Sequence, residues 1–166
     1  MKILSLNTGF IEVPGLTTLN IYVVGCSLNC PGCHNPELQN FNHPEAYKIT
    51  IQSLFDKINA YRLLIDGICW MGGEPLDQAE KLNKFIEVSL FTFPRLKHII
   101  YTGYTLKEIE EDSTKKDVVS HAILVKTGRW EGIPIESPDS NQKFYLPEGE
   151  DCWMETTYNQ IKFLPW

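Results

Sequence analysis

The chain has 166 residues, 43% hydrophobic, and a formal net charge of −6, which is enough for one real core and is expected to fold as a single domain over residues 1–166. The acidic balance and the lack of clustered Lys and Arg give no electrostatic reason to expect nucleic acid as a partner. No apolar stretch approaches the roughly 18 residues of a membrane span, and the first residues lack a signal-peptide pattern, so a cytoplasmic location away from membranes is expected.

The elements follow in chain order. Lys2 to Leu6 is a short apolar run that reads as a first strand. Leu19 to Val24 is β-branched and aromatic with Gly25 as a stop, a strand that feeds the cysteine-rich segment. Thr50 is a helix-cap candidate, after which Ile51, Leu54, Phe55, Ile58 and Tyr61 share one helical face. Gly67 to Met71 has the pattern of a buried strand entering a tight turn at Gly72-Gly73. Leu82, Phe85, Ile86 and Leu90 mark a second helix, closed by Phe93-Pro94.

His98 to Tyr101 reads as a strand, and Thr105-Leu106-Lys107-Glu108 has the capping-box form of a helix start. The acidic run Glu108 to Asp112 and the pair Lys115-Lys116 read as a solvated helix face. Ala122 to Val125 is a further strand, Thr127 to Asn141 is a Gly-, Pro- and Ser-rich loop, and Gln142–Leu146 and Gln160–Leu164 are weaker strand candidates. Strands alternating with helices predict an α/β fold with a mostly parallel sheet, whose ligands sit at the C-terminal strand ends. A full eightfold barrel needs about 200 residues or more, so only an incomplete (β/α) barrel would fit.

Cys26, Cys30 and Cys33 have the spacing C-x3-C-x2-C. In a reducing compartment, clustered cysteines more often mark metal or catalytic sites than disulfides. A structural zinc site closes with four ligands, and a fully protein-ligated iron–sulfur cluster also takes four. Three thiolates suit a 4Fe-4S cube with one iron left open for a ligand. The competing reading is a zinc site completed by His34 or His43. Cys69 reads as a buried small hydrophobe, and Cys152 as an inert thiol in the tail.

With Met71-Gly72-Gly73-Glu74-Pro75 and Thr102-Gly103-Tyr104, the cysteine loop resembles that of the radical S-adenosylmethionine (SAM) enzymes. Pro31-Gly32-Cys33-His34-Asn35-Pro36-Glu37 and Ser140-Asn141-Gln142-Lys143 are most similar to the activating enzymes of anaerobic ribonucleotide reductases. The resemblance implies a radical SAM fold with helices on the outer face of a curved sheet. It implies a 4Fe-4S cluster on Cys26, Cys30 and Cys33, with SAM contacted by Gly72, Gly73, Glu74, Thr102, His34 and Asn35. Glu74 would accept the ammonium group of SAM, Thr102 would face its carboxylate or ribose, and His34 and Asn35 would lie near its adenine.

The activity implied is reductive cleavage of SAM to a 5′-deoxyadenosyl radical, which takes hydrogen from a glycine of a large glycyl-radical protein. An electron donor such as flavodoxin or ferredoxin would be the other partner, and Trp130 would help to dock the protein substrate. The chain departs from the family at three places. Leu16-Thr17 follows Pro14-Gly15, Lys126-Thr127-Gly128-Arg129 stands where an Asp-Gly pair is usual, and Gly32 stands where many loops carry an aromatic. A formate-lyase-type activase, a small-molecule synthase and a non-catalytic iron–sulfur or zinc module are the rival readings.

Overall fold

A computed structural model describes residues 1–149 and 152–166. Its elements are β1 (Lys2–Gly9), β2 (Thr18–Val23), β3 (Tyr47–Lys48), α1 (Ile51–Tyr61), β4 (Gly67–Gly72), α2 (Ala79–Thr92) and β5 (Lys97–Tyr101). Then come α3 (Leu106–Glu110), α4 (Ser113–Ser120), β6 (Leu124–Thr127), β7 (Lys143–Pro147), β8 (Trp153–Thr156) and α5 (Tyr158–Ile161). All the strands join one sheet in the order β3-β1-β2-β4-β5-β6-β7-β8. Among the described residues no helix is long and apolar enough to cross a membrane.

The sheet is parallel only in its centre, through β2, β4, β5 and β6. Both flanks are antiparallel, which corrects the mostly parallel sheet expected from the sequence. The reason lies in the connections. Parallel neighbours need a crossover, usually helical, and no helix separates β1 from β2, β6 from β7, or β7 from β8.

Period-two alternation sorts the strand residues onto two faces. Ile21, Ile68, Trp70, Ile100 and Val125 pack with Leu54 and Ile58 of α1, Leu82 and Ile86 of α2, and Val118 and Val119 of α4. The opposite face collects Cys69, Ile99, Leu124 and Phe144, closed by Val13, Leu16 and Ile161.

Local signals set the helix starts. Thr50 and Thr105 cap α1 and α3 in capping boxes with Ser53 and Glu108. The strand expected at Gln160–Leu164 is instead the end of α5 and the turn after it, because Thr157 caps residues 158–161 and Gln160 returns the bond in a third capping box. The apolar residues at 161, 163 and 164 resemble strand patterning, but the cap decides the local structure.

Candidate metal centre

The C-terminal ends of the four parallel strands lie at one end of the sheet, and the loops leaving them enclose a single cavity of about 240 Å³. After β2 comes the cysteine loop; Cys26, Cys30 and Cys33 all line the cavity. Gly72, Gly73 and Glu74 reach it from β4, Thr102 and Gly103 from β5, and Lys126 and Trp130 from β6 and beyond. His34 and Asn35 complete the wall beside Cys33, so every site residue expected from the sequence borders the same space.

Backbone bonds lace these exits together. Gly73 N–H donates to Val23 O at 2.8 Å, Glu74 N–H to Gly25 O at 2.8 Å, and Cys26 N–H to Gln39 O at 3.1 Å. Gly73 has no alternative at this crossing, since a Cβ there would overlap Gly25 O and lie 2.8 Å from Leu38 O. Gly72 takes φ +109°, where a side chain is strained, and runs close along Val23.

Glu74 follows the two glycines directly. Its carboxylate is buried and already committed: Oε1 accepts from Leu76 N–H at 2.9 Å and from the Thr102 hydroxyl at 2.8 Å, and Oε2 accepts from Gly103 N–H at 2.8 Å. Burial pushes this carboxyl up to about 7, against those three donors. Glu74 therefore works first as a pin that joins the exit of β4 to the exit of β5. Thr102 is part of the same pin, its hydroxyl also accepting from Tyr104 N–H at 3.1 Å.

Asp77, in the helical turn Pro75–Gln78, is a residue that sequence reasoning missed. It accepts from Ser27 N–H at 2.7 Å, from the Ser27 hydroxyl at 3.0 Å and from the Tyr104 hydroxyl at 2.7 Å. It thus clasps the cysteine loop to two other strand exits. Its one sequence signal is its place in the first turn after Gly72-Gly73-Glu74-Pro75. Burial also raises the Cys26 thiol, with the carboxylates of Glu74 and Asp77 adding to it. A bound cation reverses that logic, because a coordinating thiol is deprotonated outright.

Two ligands 2.3 Å from one zinc ion are never more than about 4.6 Å apart. Among the described residues, the trio of His, Cys, Asp or Glu ligand atoms lying within 4.8 Å of one another is Glu87, Asp117 and His121, on the outer helices. The three loop thiols border a common cavity, and soft sulfur ligands suit an iron–sulfur cluster. Cys69 is fully buried in the core and Cys152 is exposed beside β8; neither lines the cavity.

Residues 12–144 match the family described as "4Fe-4S single cluster domain". The chain belongs to that family. The chain is also 27% identical over 124 residues to the anaerobic ribonucleoside-triphosphate reductase-activating protein of Pasteurella multocida (strain Pm70), covering 69% of this chain and 75% of that protein. It is 32% identical over 80 residues to the pyruvate formate-lyase-activating enzyme of Staphylococcus aureus (strain USA300), covering 46% of this chain. The match spans about a third of that enzyme's length, 31%. The resemblance drawn from the motifs is borne out: the chain is an oxidoreductase of the radical SAM type, and a 4Fe-4S cluster is its cofactor.

Proposed function

We propose that the protein binds its cluster through Cys26, Cys30 and Cys33, binds SAM in the adjoining cavity, and installs a glycyl radical on a large partner, an anaerobic ribonucleotide reductase. One observation carries this reading: three thiols and a glycine turn share a cavity at the parallel strand ends, with no fourth cysteine on its wall. Held by these three thiolates, a reduced cluster would supply an electron to the sulfonium of SAM. The chain's own residues position and enclose. Asp77 holds the cysteine loop by Ser27, and Glu74 with Thr102 holds the glycine turn against β5. The backbone around Gly72 and Gly73 can then approach a ligand closely.

Lys126 borders the cavity from β6, and its ammonium lies 5.3 Å from the Tyr101 ring centroid. Burial lowers its pKa. The apolar inner face of Cys69, Ile99, Leu124 and Phe144 supports a sheet curled into an incomplete barrel, with the cavity at its mouth. Such a mouth admits a peptide loop, as a protein substrate requires. The Pasteurella relative supports the reductase as partner; the Staphylococcus relatives favour a formate-lyase-type target as the second reading. A flavodoxin or ferredoxin would supply the electron, in the cytoplasm.

The test uses anaerobically reconstituted protein, a reductant and SAM. Release of 5′-deoxyadenosine is expected, with loss of release and of cluster iron in Cys30→Ala. Adding the reductase should produce a glycyl doublet in electron paramagnetic resonance. Stoichiometric zinc in place of iron, or full activity in Cys30→Ala, overturns the cluster assignment. A doublet with a formate-lyase-type protein and none with the reductase overturns the choice of partner.

A further inference from the structure

We propose that Trp130 is the aromatic wall against which the adenine ring of the cofactor lies. The inference rests on the cavity being a SAM site and assigns its far end. The glycine turn follows β4 and Trp130 follows β6, two strands away. At the ordinary inter-strand spacing that is roughly 10 Å. A ligand with an amino-acid head at the turn therefore extends its other end towards the indole.

Three observations mark Trp130 as built for this. First, its ring lies 4.1 Å from that of His34, centroid to centroid, and both border the cavity beside Cys33. Second, the cysteine loop packs beside it: a Cβ at Gly32 would be in ordinary contact with the Trp130 indole nitrogen, at 3.9 Å. Third, the loop that carries it is fastened although it has no regular structure. Gln142 Nε2 donates to Gly128 O at 3.1 Å, and Asn141 Nδ2 to Arg129 O at 2.8 Å. The Arg129 guanidinium pairs with both oxygens of Glu108 at 2.9 and 2.8 Å.

Two successive residues are thus clamped immediately before the tryptophan, and an aromatic held in place in this way binds a flat base with little ordering cost. Of the other rings on the wall, Tyr101 gives its hydroxyl to Glu12 O and its ring to the Lys126 ammonium. Tyr22 also borders the cavity, from within β2, whereas Trp130 lies beyond β6 against His34.

The experiment is equilibrium dialysis of cluster-loaded protein, under anaerobic conditions, against SAM, 5′-deoxyadenosine and methionine, for wild type, Trp130→Phe and Trp130→Ala. Truncation to Ala should raise the Kd for SAM and 5′-deoxyadenosine roughly 5- to 100-fold, the range of base–aromatic stacking. The Kd for methionine, which has no adenine, should stay unchanged, and Trp130→Phe should stay near wild type. Iron content and circular dichroism control for folding, and the Phe variant keeps the test open if the Ala variant fails to fold. Equal SAM binding by all three proteins overturns the proposal, as does a parallel loss of SAM and methionine. Unchanged SAM binding with lost affinity for the reductase would make Trp130 a docking residue and also overturn it. Absence of SAM binding by the wild type instead removes the reading of the cavity itself.

Discussion

Replacing Glu74 with Gln tests which force governs the buried pin between β4 and β5. Burial raises this carboxyl from 4.5 to about 7, although three donors favour its charge. The folded chain then keeps a proton that the unfolded chain releases near pH 4.5, so stability present below that pH is lost as pH rises to about 7. At 1.36 kcal/mol per pH unit, that interval amounts to about 3 kcal/mol. Glu74→Gln cannot titrate. Its amide oxygen can still accept from Leu76 and Thr102, but its NH2 would face the Gly103 N–H, which costs about 1–3 kcal/mol. Urea unfolding of metal-free, reduced wild type and variant at pH 5 and pH 8 reads the balance. The variant should be the weaker at pH 5, and the gap should shift by about 2–3 kcal/mol in its favour at pH 8, part of the loss having already occurred by pH 5. A gap that does not move with pH, or widens, would mean that the three donors outweigh burial and that Glu74 is an anion throughout.

Gly73→Ala should cost about 1–3 kcal/mol by thermal unfolding, more if the turn cannot shift, because the added methyl meets the backbone carbonyls of Gly25 and Leu38. Asp77→Asn should cost about 1–2 kcal/mol, since the amide turns a donor towards the Ser27 N–H. Reconstituted Asp77→Asn should also lose iron to a chelator faster than wild type. In the same variant the Tyr104 phenol, raised to about 12 by burial and by Asp77, should titrate lower in an ultraviolet pH titration; an unchanged phenol would disconnect the two residues.

The centre of the fold was readable because β2, β4 and β5 are β-branched or aromatic runs that end at turn residues, and because Thr50 and Thr105 announce their helices. On the flanks, β1 and β7 were legible as apolar runs, but β3 and β8 were not. β8 is Trp153-Met154-Glu155-Thr156, mixed in polarity because its strand sits at the rim with one neighbour. In the site, the three cysteines and the glycine turn stood out because their residue types and spacing carry the chemistry. The commitment of the Glu74 carboxylate could not be read, since its partner Thr102 is 28 residues away. Asp77 was hidden for the same reason: Ser27 lies 50 residues before it and meets it only once the strand exits converge.

The two rims of the sheet are brief, with Tyr47–Lys48 at one margin and Trp153–Thr156 at the other. The β8 margin gives a stray chain few unpaired amides to copy, but β3 covers only Lys2 and Ile3 of β1, so the outer edge of β1 beyond Ile3 is left open. Edge-to-edge association of concentrated protein would therefore begin along β1, not along β8.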